Sequence, residues 1–316
     1  MKILVTGAAG QVGLDLLRLL HDRGDDVHAS DVAPPAVRDP AVPWYRLDVT
    51  DAAAFARLVA DVRPERVFHL AAILSARGEA DPLRTYAVNQ TGTLNLLEAC
   101  RQHDVRQVVF TSTIAAFGPP LPEPVGDDVA LRPTTMYGVT KVAGELLGAY
   151  YHKRYGLDFR AVRFPGLISA VLPGGGTSDY APLMYYESLR VGGYEAFCRP
   201  DAAIPLMYMP DGLRALVELA DAPGERLTRR VYNIAAFSPT ARQIADDVAR
   251  AIPGADITFK PDPARQAILD SWPRTLDDRL AREDWGWRHH YDLARMTDDL
   301  VPKLRALVSA SSAAQP

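Results

Sequence analysis

Tyr137 and Lys141 in the stretch MYGVTKVAGE are four residues apart in a segment of helical period. On a helix that spacing sets phenol and ammonium on one face, where the lysine charge favours a phenolate. A phenol has a reference pKa of about 10, so a base acting near neutrality needs such a neighbour. A helix with a packed tyrosine and an exposed lysine carries the same pattern, and YxxxK alone decides nothing. Upstream, VVFTSTIAAFG ends an apolar run in Thr111, Ser112 and Thr113. Hydroxyls at the carboxyl end of a strand can hold a substrate alcohol or carbonyl beside such a base.

A second chemical element opens the chain. VTGAAGQVG spaces Gly7, Gly10 and Gly13 as GxxGxxG between an apolar run and a helical one. The first glycine permits a tight turn, the second lets backbone amides approach a pyrophosphate, and the third lets helix and strand pack closely. The next strand ends in Asp31, whose carboxylate can accept both ribose hydroxyls of NAD and would repel a 2′-phosphate. Arg38 is too far along a Pro-rich loop to favour NADP. Asp48 and Val49 follow a further short strand, where they can lie beside an adenine ring; Asp48 reads equally well as a turn residue. HLAA (69–72) ends another strand in small residues that let a dinucleotide pass, and His69 itself reads as a packed strand histidine.

These groups need a frame. Strands are predicted at 2–7, 26–31, 66–72, 107–112 and 158–164, with helices near 11–23, 51–61, 82–103 and 135–155. Short apolar runs alternating with amphipathic helices form a parallel sheet covered on both faces, an α/β fold. After residue 165 glycine and proline become denser, as where loops build a substrate region. PLMYMPDGLRALVELADAP reads as a strand, a capping Asp211 and a helix, and RRVYNIAA as a strand, both returning to the first sheet. The expected division is a cofactor domain over 1–165 with returning segments at about 205–236. A smaller, discontinuous substrate region then covers about 166–204 and 237–316.

Composition narrows the partners. The 316 residues carry 35 basic and 39 acidic side chains, a formal charge of −4, so no nucleic-acid partner is expected. Cys100 and Cys198 match no metal or redox spacing, and the seven histidines show no ligand spacing, so no metal is expected. Apolar stretches stop short of the roughly 20 residues a membrane helix needs. With no charged leader ahead of MKILVTG, a cytoplasmic protein is expected. The terminal SASSAAQP is expected to fray.

The glycine start, Asp31, the hydroxyl cluster, Tyr137 and Lys141 come in an order and spacing that resembles the extended short-chain dehydrogenase/reductase family, in its epimerase-like branch, over nearly the whole chain. The resemblance implies a Rossmann-type doubly wound sheet, NAD as cofactor, and a dimer paired through the helices at 82–103 and 135–155. It makes Tyr137 and Lys141 catalytic, with Lys141 also bonding the nicotinamide ribose. The third catalytic hydroxyl lies five residues before the glycine of an FG pair, which counts from Gly118 to Thr113, with Ser112 its competitor. NAD contacts are implied for Gly7, Gly10, Gln11, Val12, Gly13, Asp31, Asp48, Val49, Leu70, Ala71, Ala72, Asn89, Phe164 and Pro165, besides Tyr137 and Lys141.

Within that family, enzymes of nucleotide sugars often carry RYxN where this chain has RFPG, with Gly166 in place of the asparagine. ILSARGE (73–79), PGGGTSDYA (173–181) and RQAILDSWP (265–273) instead resemble the branch acting on L-threonine. That likeness implies an amino-acid site lined by Ser75, Thr113, Tyr137, Gly176, Thr177, Ser178, Asp179 and Trp272. A zwitterion needs donors for its carboxylate, here Thr177, Ser178 and loop amides, and an acceptor for its ammonium, here Asp179. Trp272 would exclude water once the glycine-hinged loop closes. Asp179 reads alternatively as a helix cap before YAPLMYYESL. Two other functions remain: a nucleotide-sugar epimerase or dehydratase, and an NAD-sensing regulator, which would have no use for the catalytic set.

Overall fold

The alternating segments of residues 2–164, joined by one returning strand at 231–233, build one seven-stranded sheet with every pairing parallel. The computed structural model describes residues 1–34, 39–171 and 175–313; Arg38, Pro173 and Gly174 lie outside the described residues. In chain order the strands are β1 (Lys2–Thr6), β2 (Asp26–Asp31), β3 (Trp44–Arg46), β4 (Arg66–His69), β5 (Gln107–Thr113), β6 (Asp158–Phe164), β7 (Gly166–Ile168), β8 (Gly193–Ala196), β9 (Leu206–Tyr208), β10 (Val231–Asn233) and β11 (Asp256–Phe259). The main sheet runs β10-β6-β5-β4-β1-β2-β3, so the strand order reverses between β1 and β4. Ligands bind such sheets at the carboxyl ends flanking that reversal, where Gly7, Leu70 and Thr113 stand.

The helices are α1 (Gln11–Asp22), α2 (Ala52–Val62), α3 (Ser75–Ala80), α4 (Pro82–Tyr86), α5 (Gly92–Gln102), α6 (Met136–Tyr155), α7 (Tyr180–Val191), α8 (Met209–Asp221), α9 (Ala241–Ala251), α10 (Pro263–Asp270), α11 (Arg279–Trp285) and α12 (Leu293–Ala313). Strand side chains alternate between two cores, as the pleat requires. Ile3 and Val5 face α1 and α8 on one side; Leu4 faces α2 and α5 on the other. Trp285 and Trp287 join the core under α8, while a third core gathers α7, α9 and α12 around Tyr180 and Tyr185. Among the described residues no helix is long and apolar enough to cross a membrane.

Four expectations change. Pro165 has no N–H and ends β6, and the chain restarts as β7. β7 then pairs with β9 in a separate two-stranded sheet, so β9 leaves the main sheet and only β10 joins it. The helix predicted over 82–103 is interrupted by a π-helical turn, Ala87–Thr91, which carries Asn89 inward. Asp211 is not a cap: it lies inside α8, fully buried, and its carboxylate accepts the backbone N–H groups of His290 and Tyr291 at 2.9–3.0 Å. The tail expected to fray continues α12 to Ala313, and residues 314–316 lie outside the described residues.

Candidate active site

Helix α6 is pressed close against the sheet. A Cβ on Gly144 would stand 2.6 Å from the Phe110 ring, and one on Gly148 would stand 2.2 Å from Phe159. Thr135 starts this helix by accepting the N–H of Gly138 at 3.1 Å, and Gly156 ends it with φ +75°. This close approach carries Tyr137 and Lys141 to the carboxyl edge of β5. The Lys141 ammonium donates to the Thr111 carbonyl at 2.7 Å and lies 4.7 Å from the Phe110 ring centroid and 5.7 Å from that of Tyr137.

Burial dominates the electrostatics. It brings Lys141 down to about 7, against the Glu145 carboxylate, which favours the charged form. It pushes the Tyr137 phenol up to about 12, opposed by a hydrogen bond with Thr113. The spacing predicts a lowered phenol; desolvation prevails among the chain's own groups. His69 is held at about 3 by burial and then by the Lys141 charge. It pairs with Thr6 Oγ1 at 2.7 Å as a packed strand histidine.

The two candidate hydroxyls face different partners. Thr113 acts on the Tyr137 phenol by opposing its upward shift, and its Oγ1 accepts Ala115 N–H at 3.2 Å. Ser112 donates to Glu145, a carboxylate only 4% exposed and held by the Arg163 guanidinium through contacts of 2.9 and 2.8 Å. This buried ion pair lies one helical turn beyond Lys141. The residues show it in retrospect, since Tyr137, Lys141 and Glu145 repeat every four positions.

A cavity of about 240 Å³ gathers most of the residues singled out above. It is lined by Gly7, Gly10, Gln11, Val12, Gly13, Leu70, Ala72, Ser75, Ser112, Thr113, Tyr137, Lys141, Phe164, Pro165, Gly176, Ser178, Asp179 and Trp272. Leu74, Ile114 and Leu167 also line it and were not anticipated; apolar residues beside turns carry no signal of their own. Six expected residues lie off the wall. Ala71 backs Gly7, whose added Cβ would come within 2.5 Å of the Ala71 nitrogen. Asn89 braces Ile73 through both its N–H and its C=O. Val49 is buried against Gly92, and Asp48 closes a turn on Thr50. Asp31 accepts the N–H groups of Ala9 at 3.0 Å and Val32 at 2.7 Å, fixing the glycine turn to the end of β2. Thr177 is fully buried, its hydroxyl 3.3 Å from that of Ser75.

The glycine turn fits a dinucleotide. Gly7 has φ +70°, and a Cβ on Gly13 would strike the carbonyl oxygens of Gly7 and Ala8 at 2.6 Å. A Cβ on Gly10 would meet protein only at Gly7 O, 3.2 Å away, so that position is bare toward the cavity. The N-terminus of α1 has no side-chain cap and no acidic residue in its first turn, which leaves its amides and dipole to a pyrophosphate.

Opposite, Asp179 Oδ2 accepts the N–H groups of Gly175 at 2.8 Å and Gly176 at 2.6 Å. Burial raises this carboxyl above the usual range, and those two amides oppose the shift. The carboxylate therefore braces its own loop and makes no side-chain cap on α7. Arg265 ties the same loop down: its guanidinium stacks on Phe197 and donates to the Gly176 carbonyl at 3.2 Å. Gln11 donates across to Ser169, joining the glycine turn to the segment that leads into this loop.

Comparison with known proteins agrees with this geometry. L-threonine 3-dehydrogenase, mitochondrial, of Bos taurus is 43% identical over 305 residues, 95% of this chain and 82% of that protein. An L-threonine dehydrogenase structure from Phytophthora infestans superposes with a TM-score of 0.93 at 43% identity, covering 97% of this chain and all of that one. An uncharacterized epimerase/dehydratase of Staphylococcus saprophyticus is 41% identical, covering 94% of each chain. A family model matches residues 3–235, from β1 past the end of β10 and across the whole cofactor side of the cavity. The chain belongs to the NAD dependent epimerase/dehydratase family.

Proposed function

We propose that this NAD-dependent oxidoreductase converts L-threonine to 2-amino-3-oxobutyrate by oxidation at C3. The observation that carries the reading is the meeting of Thr113, Tyr137, Ser178, Asp179 and Trp272 around one small cavity with the glycine turn. Its support is the near full-length likeness to L-threonine dehydrogenases.

Gly7, Gly10 and Gly13, with the amides of Gln11 and Val12, would hold the pyrophosphate and Asp31 the ribose. Lys141 would hold the nicotinamide ribose, with Phe164 and Pro165 along the ring. Bound NAD supplies the acceptor for the hydride leaving C3 and a positive ring that favours a phenolate. The Tyr137 oxygen takes the proton of the 3-hydroxyl as the C3 carbonyl forms. Thr113 orients that hydroxyl and steadies the developing carbonyl oxygen. Ser178 meets the carboxylate, since the Gly175 and Gly176 amides are taken by Asp179. Asp179, with Oδ2 committed to its loop, offers Oδ1 to the ammonium, whose charge would counter the upward push of burial.

A panel of L-threonine, L-serine and UDP-sugars with NAD, followed by NADH absorbance and product chromatography, tests the reading. NADH formed with L-threonine supports it. Interconversion of UDP-sugars without net NADH replaces it with the epimerase reading. A homodimer through α5 and α6 belongs to the same proposal, since Leu94, Val139, Leu146 and Tyr150 are exposed along those helices. So does a cytoplasmic location, which cell fractionation tests against the mitochondrial location in the bovine relative's name.

A further inference from the structure

We propose that Gly166 is a specificity-determining residue: its bare Cα seats Ser178 against β7 and so sets where the loop at 175–179 meets the amino acid. The inference rests on the L-threonine reading above. Gly166 and Ser178 both line the cavity. A Cβ added at Gly166 would stand 2.9 Å from Ser178 Cβ and 2.7 Å from Leu206 Cδ2. At 2.9 Å something must shift, and Ser178 moving alone would retreat by about 0.5 Å to reach ordinary contact at 3.4 Å. Leu206, fully buried on β9 directly beside β7, meets the same Cβ through its terminal Cδ2. The Gly166 backbone lies outside the left-handed region, so space alone reserves this position for glycine.

Ser178 cannot move by itself. Its Cβ is attached to the backbone of the short turn Thr177–Asp179, and that turn is held as a unit. Asp179 clasps the Gly175 and Gly176 amides, Thr177 meets Ser75 on α3, and Arg265 on α10 holds the Gly176 carbonyl. The seat on Gly166 is the fourth restraint, and the one that comes from the cavity floor. A side chain there shifts Ser178 and Asp179 relative to Thr113 and Tyr137 while leaving the glycine turn at 7–13 untouched.

The test is Gly166→Ala, with initial rates over L-threonine at saturating NAD and NAD affinity measured by calorimetry. KM for L-threonine should rise roughly tenfold, the scale of one weakened hydrogen bond to a charged group. The kcat should stay within about threefold, since the lost contacts bind ground and transition states alike. NAD affinity should stay within about twofold. Adding Ser178→Gly to the Gly166→Ala background removes the opposing Cβ, so the double variant should be less impaired than the product of the two single effects. An unchanged KM, an equal loss of NAD affinity, or strictly multiplicative effects would overturn the inference. If the unaltered protein does not oxidise L-threonine, the function reading fails on its own. The seat is then decided by crystal structures of both forms: Ser178 displaced away from residue 166 supports it, and an unmoved Ser178 overturns it.

Discussion

Replacing Lys141 with methionine should stabilise the protein while abolishing turnover. The lysine is 3% exposed, with Thr111 O as its hydrogen-bond acceptor and the Phe110 and Tyr137 rings beside it. Burial takes its pKa from 10.5 to about 7. Between those values the unfolded chain holds a proton the folded chain has released, so the stability of the unaltered protein rises with pH across that window. At pH 7 a gap of this size corresponds to a penalty of about 4 kcal/mol. Methionine removes that penalty but leaves the Thr111 carbonyl without its donor, at about 1–3 kcal/mol. The net gain at neutral pH is therefore roughly 1–3 kcal/mol, several degrees in Tm. Denaturation of both proteins at about pH 6, 8 and 9.5 reads the sign. The advantage of Lys141→Met should be largest at and below pH 7 and shrink as the pH approaches 10.5. The raised Tyr137 phenol is common to both proteins and drops out of their difference. A stability difference that does not vary with pH, or a methionine variant less stable at pH 6, would refute the reasoning.

Tyr137→Phe should lower kcat by roughly 10² to 10⁴ with NAD affinity retained; equal turnover would remove Tyr137 as the base. Thr113→Ala should cost turnover on the order of 10². Ser112→Ala should cost mainly stability, about 1–3 kcal/mol, by depriving Glu145 of a buried donor; the reverse ranking in kcat and denaturation midpoint would exchange the two roles. Leu146→Glu places a charge on the most exposed apolar residue of α6, 65% accessible, beside Tyr150 at 52%. Sedimentation should show dimers for the unaltered chain and monomers for the variant, and identical profiles would dismiss this surface.

What could be read before folding was whatever repeats with a period or fixes a turn. The sheet strands and α6 follow from apolar periodicity, and α6 runs Met136–Tyr155 against the predicted 135–155. The glycine turn and the Tyr137–Lys141 spacing are local patterns, and they meet at one cavity because a parallel sheet gathers its loops at one edge. What escaped depends on contacts between distant segments. β9 reads as a main-sheet strand until Pro165 is seen to divert β7 toward it. Asp211 looks like a cap until the backbone of His290 and Tyr291 arrives 79 and 80 residues later. Only the count from Gly118 separates Thr113 from its neighbour Ser112 in the sequence; in the folded chain Ser112 is taken by Glu145, which Arg163 in turn holds. The loop glycines read as a hinge, whereas Asp179 and Arg265 hold Gly175 and Gly176 as a braced turn.

The central claim is that hydride leaves C3 of L-threonine for NAD. Incubating the protein with NAD and L-threonine deuterated at C3, then measuring the mass of the nicotinamide product, tests it most directly. The account requires reduced NAD carrying one deuterium and a slower initial rate wherever hydride transfer limits turnover. Reduced NAD without deuterium, or no reduced NAD at all from L-threonine, would contradict it.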